Sequence, residues 1–169
     1  MDTIEAIKSR RSIRKYRSEA VPHDKVEQVL EAGRWAPSAS NRQPWTFIVV
    51  TDDKTRKTLA DVAIYGWFLA EAPVTIAVVI DPQTSFHAVI DGAAATQNML
   101  LAARALGLGT CWIGAYGSVY EERIRDILGV PQEKRLLCLI SLGYPGESPT
   151  KDRKSLSEIV CYDKYERRR

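Results

Sequence analysis

Cysteine and histidine are scarce in this sequence. Its 169 residues include three cysteines, Cys111, Cys138 and Cys161, and only two histidines. An odd number of cysteines at wide spacings fits neither a disulfide framework nor a zinc site, and indicates reduced thiols in the cytoplasm. His23 and His87 argue against a histidine-rich metal centre and leave a Ser-His-Asp triad few candidate bases. We therefore expect no metal site.

Long hydrophobic runs are also missing. The apolar stretches at 74–80 and 93–101 are too short to cross a bilayer, and Gln97 and Asn98 interrupt the second. Met1-Asp2 does not open a signal peptide, so we expect a cytoplasmic protein with no membrane attachment. No glycine fingerprint of a Rossmann nucleotide site is present. A chain that is 45% hydrophobic is predicted to form one domain over residues 1–169, with a polar arm from about residue 146.

The positive charge is concentrated at the two ends of the chain. The net charge is +3, and each end carries a basic cluster. Such clusters attract either nucleic acid or a small ligand that bears a phosphate, and they are also compatible with solvated charged ends. The basic residues are Lys8, Arg10, Arg11, Arg14, Lys15 and Arg17 near the start, and Lys151, Arg153, Lys154 and Arg167–Arg169 near the end.

Hydrophobic spacing predicts a mixture of helices and strands. The first predicted helix ends near residue 10, and the second begins at residue 24 and stops before residue 37. Three more are predicted over about 53–62, 86–106 and 120–128. The predicted strands are 45–50, 74–80 and 136–142, the second of them central in a sheet covered by helices. Residues 108–117 are predicted to form a connection punctuated by glycine. The alanine-rich helix at 86–106 is compatible with packing inside the domain or across a dimer axis.

Two segments carry residues suited to binding a ligand. In the segment Arg10–Arg14, guanidinium groups and the Ser12 hydroxyl suit a phosphate monoester, although a solvated basic patch has the same composition. In the loop Pro37–Pro44, Asn41 and Gln43 offer amide groups that can bind the edge of a heterocycle. The alternative is that these amides satisfy the backbone of the loop while Trp45 belongs to the core.

The order and spacing of four segments resemble the nitroreductase family. The opening Arg10-Arg-Ser-Ile-Arg-Lys-Tyr16 is followed by Ala36-Pro-Ser-Ala-Ser-Asn-Arg-Gln-Pro-Trp45. The stretch from Asp91 to Gly114 is similar to the central helix of the family and the loop after it. Leu142-Gly-Tyr-Pro145, followed by Arg153-Lys154, is similar to its closing pattern. The resemblance spans almost the whole chain.

The resemblance implies a fold, an assembly and a chemistry. The fold would be α+β, with a mixed central sheet flanked by helices, in an intertwined homodimer joined by the long helix and exchanged termini. FMN would bind at the subunit interface, giving two sites per dimer. The flavin would accept hydride at N5 from NADH or NADPH and pass it to an oxidised organic acceptor, such as a nitroarene or quinone, by a ping-pong mechanism.

The resemblance also assigns residues to parts of the flavin. Arg14 would lie at the N1 and C2 carbonyl edge, where its cation should raise the reduction potential. No side chain is assigned a catalytic role, because the flavin performs the chemistry. The FMN phosphate would be bound by Arg10, Arg11, Ser12, Arg153 and either Lys151 or Lys154.

Two loops would complete the flavin site. One, supplied by the partner subunit, consists of Pro37, Ser38 and Ala39, with Asn41 and Gln43 nearby. The other lies along the ring and directs backbone N–H groups at N5 and the C4 carbonyl, where Gly114 permits close approach. It consists of Trp112, Ile113, Gly114 and Ala115.

This chain departs from the family pattern in ways that leave its acceptor open. It is shorter than the better-known nitroreductases, which insert a helical excursion over the exposed flavin face. Where many relatives have an amide or basic residue, it has Ile64-Tyr-Gly-Trp-Phe68, whose aromatic rings are expected in the core or beside the flavin. Cys111 is expected to be a packing residue. Alternative functions are another flavin reaction on this fold, such as reductive dehalogenation or flavin modification, and a basic nucleic-acid-binding module.

Overall fold

Six α-helices and four strands make up the described part of the chain. The computed structural model describes residues 1–165, so Arg167–Arg169 of the basic C-terminal cluster lie outside it. The helices are α1 (Thr3–Ser9), α2 (His23–Arg34), α3 (Asp53–Val62), α4 (Ala88–Ala105), α5 (Glu121–Leu128) and α6 (Leu156–Ile159). The strands are β1 (Trp45–Val50), β2 (Val74–Ile80), β3 (Gly109–Gly114) and β4 (Arg135–Gly143). No helix within residues 1–165 is long and apolar enough to cross a membrane.

The strands form one sheet in the order β1-β2-β4-β3. All three strand pairs are antiparallel, with Trp45 opposite Ile80 at one end of β1–β2. The α+β class is therefore confirmed. The sheet was expected to mix parallel and antiparallel strands, but within the described residues the only parallel pairing is one bridge between Ser12 and Thr110. The connections between neighbouring strands contain helices, α3 between β1 and β2 and α5 between β3 and β4.

Helices cover both faces of the sheet. On one face, Val29 of α2 and Met99 of α4 pack with Ile76 of β2. On the other face, Leu59 of α3 and Ile124 of α5 belong to a second cluster. Strand β2 lies between the two clusters with all seven of its residues buried, which confirms the central position predicted for residues 74–80.

Strand β3 corrects the prediction of a loop over residues 108–117. Its two glycines look like punctuation in the sequence, but Gly109 marks a place where another segment approaches the strand closely, and Gly114 leaves open space beside the strand. A Cβ atom on Gly109 would lie 2.8 Å from Cγ1 of Ile13. The glycine therefore allows the segment after α1 to lie directly on the edge of β3, where the Ile13 N–H donates to the Thr110 carbonyl at 2.9 Å.

Helix α4 packs inside the domain, against α2 and the sheet. Its buried residues include Gly92, Ala95, Met99 and Ala103, which lie at helical spacing on one face. Gly107 follows the helix with a φ of +78°, as expected of a glycine that ends a helix. The intramolecular packing considered for this helix is thus present, while its packing across a dimer axis stays a prediction.

The close contact between α4 and the sheet predicts an unusual response to Gly92→Ala. Alanine normally favours a helix over glycine by about 1 kcal/mol. Here a Cβ atom would lie 2.6 Å from Ile80 Cγ2 and 2.8 Å from Leu137 Cδ2. Overpacking of this kind costs about 1–3 kcal/mol, so we expect the variant to unfold at a lower urea concentration than the parent.

Gly33→Ala provides the matched control for this measurement. Its new Cβ atom would meet chiefly the flexible side chain of Met99, at 2.8 Å from Cγ, so a smaller loss is expected. A Gly92→Ala variant as stable as the parent would contradict the packing described for α4.

Candidate functional site

The two basic ends of the chain are brought together by backbone pairing. Tyr16 and Pro145 form an antiparallel bridge, and the Gly146 N–H donates to the Lys15 carbonyl at 2.8 Å. Beside them, the Arg14 N–H donates to a carboxylate oxygen of Glu147 at 2.6 Å. The pairing directs the residues after 147 along the segment that follows α1.

Arginines from both ends line one small cavity of about 110 Å³, called here the arginine cavity. It contains every residue that the sequence suggested for a phosphate except Lys154, which is exposed and outside the lining. Between the two lysines that the resemblance left open, the structure therefore places Lys151 at the cavity. The lining residues are Arg10, Arg11, Ser12, Arg14, Pro149, Lys151 and Arg153.

The arginine cavity concentrates positive charge: within residues 1–165 none of its five cations forms a side-chain ion pair, and the nearby Glu147 carboxylate accepts from a backbone N–H. Burial lowers the pKa of Arg10, and the neighbouring cations of Arg153 and Arg11 lower it further. The Nε atom of Arg11 is buried and, within residues 1–165, has no hydrogen-bond partner. A phosphate dianion bound in the cavity would offset the repulsion between the guanidinium groups, so the residues present fit the phosphate of FMN.

The outer edge of β3 presents backbone groups to solvent. β3 is the last strand of the sheet, and the Thr110 carbonyl faces away from β4 because it accepts from Ile13. Backbone groups alternate in direction along a strand, so Trp112 and Gly114 face the same outer edge. The Ala115 N–H is not available there, since it donates to the Leu137 carbonyl at 3.0 Å. Of the four residues expected to offer N–H groups to the flavin ring, the structure turns Trp112 and Gly114 toward the edge.

A second cavity, of about 470 Å³, lies along this edge and is called here the strand-edge cavity. Arg14 lines both cavities, and its guanidinium lies 5.8 Å from the centroid of the Phe68 ring, on the side of the strand-edge cavity. A Cβ atom on Gly114 would meet no atom within 4 Å, which leaves room for a flat ring to approach the backbone. The lining residues are Arg14, Ile64, Tyr65, Trp67, Phe68, Cys111, Trp112, Ile113, Gly114 and Tyr120.

The aromatic segment before β2 is divided between core and cavity. Phe68 is 1% exposed and belongs to the core, as expected. Tyr65 and Trp67 are 77% and 54% exposed, so of the two positions expected for these rings, in the core or beside the flavin, the core is wrong for both. Their rings form a wall of the strand-edge cavity, because the 3-10 turn Trp67–Ala70 buries Phe68 and leaves its neighbours outside. Burial raises the pKa of the Cys111 thiol, which suits the packing role expected of that residue.

The loop of residues 37–43 has a strained backbone held by specific hydrogen bonds. Ser40, Asn41 and Gln43 have φ values of 52°, 55° and 49°, a region that non-glycine residues rarely adopt. The Gln43 N–H donates to the Ser38 hydroxyl at 3.0 Å, and the Gln43 side-chain amide donates to the Asn41 carbonyl. These contacts match the alternative in which the amides satisfy the loop itself. None of the expected residues Pro37, Ser38, Ala39, Asn41 and Gln43 lines the arginine or strand-edge cavity of its own chain.

Three residues that sequence reasoning passed over support these parts. Asp91, buried at the start of α4, accepts from the Ala39 N–H at 3.1 Å and from the Ser85 hydroxyl at 2.8 Å, which ties the 37–43 loop to α4. Tyr120 donates its hydroxyl to the Gly114 carbonyl, and Glu121 binds Arg135. A carboxylate in an alanine-rich helix was a usable signal for Asp91. Nothing in the sequence distinguished Tyr120 from an ordinary core residue.

No group of three metal-binding side chains occurs within residues 1–165. The two cavities suit the binding of a phosphate at the arginine cavity and of a flat ring at the strand edge, and Arg14 lines both. Both features belong to one chain and lie on adjacent segments.

Comparison with known proteins agrees with this arrangement. The model of the nitroreductase family matches residues 7–68 and 62–144. An NADH dehydrogenase/NAD(P)H nitroreductase of Archaeoglobus fulgidus is 40% identical over 164 residues, which covers 93% of this chain and 90% of that protein. A Methanothermobacter thermautotrophicus protein of the same name is 41% identical over 155 residues, covering 88% of this chain and 80% of that protein.

Solved structures agree as well. An FMN-dependent nitroreductase of Clostridium difficile superposes with a TM-score of 0.89 at 32% identity, covering 96% of this chain and 99% of that one. An NADH dehydrogenase/NAD(P)H nitroreductase of Parabacteroides distasonis superposes with a TM-score of 0.93 at 34% identity, covering 96% and 98%. The family model, the relatives and the fold all lead to one conclusion: the chain belongs to the nitroreductase family.

Proposed function

We propose that this chain is an FMN-dependent oxidoreductase that works as a homodimer and passes hydride from NADH or NADPH to an oxidised organic acceptor, such as a nitroarene or quinone, by a ping-pong mechanism. The observation that carries the proposal is the arginine cavity joined through Arg14 to the strand-edge cavity. Relatives named FMN reductase [NAD(P)H] and 4-nitrobenzoate reductase support this class of donor, cofactor and acceptor.

The arginine cavity would hold the phosphate of FMN. Arg10, Arg11 and Arg153 supply forked donors, Ser12 supplies a neutral one, and Lys151 adds a further cation. Because the cavity is small, it suits a phosphate monoester better than the extended backbone of a nucleic acid. The basic ends are thus two halves of one binding site in this proposal.

The strand-edge cavity would hold the isoalloxazine ring. Bound FMN supplies the two-electron chemistry, accepting hydride from the nicotinamide and donating it to the acceptor. The outward N–H groups of Trp112 and Gly114 would orient the ring, and the Arg14 cation would favour the charge that develops on its pyrimidine side. The exposed rings of Tyr65 and Trp67 stand where a flat donor or acceptor would enter. In this proposal the donor and the acceptor occupy the same open face of the flavin ring in turn, which accounts for the ping-pong order.

A second copy of the chain would complete the site with the 37–43 loop. Its three left-handed non-glycine residues are costly to hold in place, and such strain concentrates where a segment has a binding role. The loop lines neither cavity of its own chain, so a flavin contact requires the loop to come from another subunit. This is the assembly that the resemblance implies.

Loss of one arginine should weaken FMN binding much more than loss of an adjacent lysine. Hydrogen bonds to charged groups contribute about 1.5–3 kcal/mol, so Arg153→Ala should raise the Kd for FMN by roughly 10- to 100-fold. Lys154→Ala removes the same charge from the same arm but lies outside the cavity, so its Kd should stay close to that of the parent. Quenching of flavin fluorescence measures both. Equal Kd values for the two variants would refute the phosphate assignment.

Reduced nicotinamide should bleach the flavin of the purified protein. The preparation should be yellow, and anaerobic addition of NADH or NADPH should remove the flavin absorbance near its long-wavelength maximum. Adding a nitroarene or quinone after the donor is consumed should restore it, since the two substrates use the same face in turn. An FMN-loaded protein that neither nicotinamide bleaches would rule out the proposed reaction.

Mixing two inactive variants should restore flavin sites if each site uses two chains. Arg10→Ala damages the arginine cavity, and Ala39→Trp places a large ring on the 37–43 loop. In a mixed dimer, one site receives both changes and the other receives neither, so about a quarter of all sites should bind FMN normally after random mixing. Flavin fluorescence of the mixture reports this recovery. If the mixture binds no more FMN than the separate variants, the loop does not act across subunits.

A further inference from the structure

The Gly114 carbonyl oxygen is an acceptor at the outer edge of β3, beside the strand-edge cavity. Gly114 faces this edge with both its N–H and its carbonyl group, since the two point the same way in an antiparallel strand. The N–H suits the acceptor atoms on the edge of a flavin ring. A carbonyl in the same place would repel them, and repel them more strongly as negative charge accumulates on reduction.

Tyr120 removes this conflict by binding the carbonyl. Its hydroxyl donates to the Gly114 oxygen at 2.5 Å, and its ring is 8% exposed while lining the strand-edge cavity. We propose that Tyr120 is a positioning residue: it occupies the Gly114 carbonyl, so that this part of the edge acts toward the flavin as a donor only. The inference rests on the proposed placement of the isoalloxazine ring along β3.

The position of Tyr120 is set by a buried clamp at the start of α5. Glu121 is buried and accepts from the Gly117 N–H at 2.6 Å and from the Leu136 N–H at 3.2 Å. Arg135 donates to both of its carboxylate oxygens, at 2.6 and 2.7 Å. These bonds join the loop after β3 to strand β4, so the residue preceding Glu121 cannot move away from Gly114 without breaking them.

The clamp stays charged at neutral pH. Burial alone would raise the pKa of Glu121, but hydrogen bonds from Arg135 and from the Gly117 N–H outweigh burial and lower it. The Arg135 guanidinium also lies over the ring of Tyr116, 4.4 Å from its centroid. The ion pair, the loop and Tyr120 therefore form one rigid support behind the strand edge.

A protein that binds reduced flavin more tightly than oxidised flavin raises the midpoint potential of the bound flavin. Tyr120→Phe deletes only the hydroxyl and leaves the Gly114 lone pair facing the cavity. We expect the preference for reduced over oxidised FMN to fall about tenfold, which lowers the midpoint potential by about 30 mV for a two-electron couple. The potential is measured by anaerobic titration of the FMN-loaded protein against a reference dye, and the absorbance maximum of the bound flavin is recorded alongside.

Tyr144→Phe is the matched control. It deletes a phenolic hydroxyl that accepts from Lys25 Nζ at 3.1 Å, and Tyr144 lines neither the strand-edge cavity nor the arginine cavity. Its potential should equal that of the parent, and urea unfolding of both variants without FMN separates loss of stability from loss of tuning. A Tyr120→Phe potential equal to that of the parent overturns the inference, and so does an equal fall in both variants.

Gly114→Val tests the ring placement separately. Its new side chain meets no protein atom within 4 Å of Cβ, so the fold should tolerate it, while it would occupy the space beside the strand edge. Weaker FMN binding by this variant, together with an unchanged potential in Tyr120→Phe, overturns the role of Tyr120 alone. Unchanged FMN binding by Gly114→Val overturns the ring placement, and the inference with it.

Discussion

The backbone pairing of Lys15 and Tyr16 with Pro145 and Gly146 is the contact on which the site depends. The missing side chain of Gly146 allows the two segments to approach this closely, because a Cβ atom on Gly146 would lie 3.2 Å from the Lys15 carbonyl oxygen. The pairing brings arginines from the two ends of the chain into one cavity, where burial and neighbouring cations lower the pKa of Arg10. Holding like charges together costs free energy, and a bound anion offsets that cost. Ligand binding and stability are therefore linked in this protein.

The sheet gives the site a rigid frame with one polar edge. Strands β2 and β4 are buried between two helical layers, so they cannot present backbone groups to a ligand. β1 and β3 are the two outer strands, and of these it is β3 whose edge lines the strand-edge cavity. Groups on a packed strand are held more accurately than groups on a loop, which is what orientation of a flat ring requires. The support from Tyr120 and Glu121 extends this rigidity into the loop that follows.

The 37–43 loop shows the opposite arrangement, in which strain is held by a few hydrogen bonds. Asp91 connects the loop to α4 through the Ala39 N–H, and the Ser38 hydroxyl accepts from Gln43. The cost of the left-handed residues is met by this local network and not by contacts in the chain's own cavities. Helix α4 holds both the core and this loop, so in the proposed homodimer it would couple the fold of one subunit to the loop that the subunit presents to its partner.

Most helices and strands were determined by local sequence patterns. The periodicity of residues 53–62 and 74–80 predicted α3 and β2 with the same bounds that the structure has, because each segment has one strong pattern and clear ends. β3 was missed because Gly109 and Gly114 read as turn residues. In the structure, Gly109 allows Ile13 to approach the strand closely, and Gly114 leaves open space beside the strand edge. Both features depend on residues that are distant in the sequence.

For the site, the sequence by itself determined the chemical types and the family resemblance: arginines and a serine for a phosphate, and a glycine-containing segment for a ring. Tertiary structure decided which of them meet. Lys151 lines the arginine cavity and Lys154 does not, the Ala115 N–H points to β4 and not to the outer edge of β3, and Tyr65 and Trp67 are exposed while Phe68 is buried. The physical reason is that charge and hydrogen-bonding capacity belong to single residues, whereas burial, direction and proximity depend on how distant segments pack.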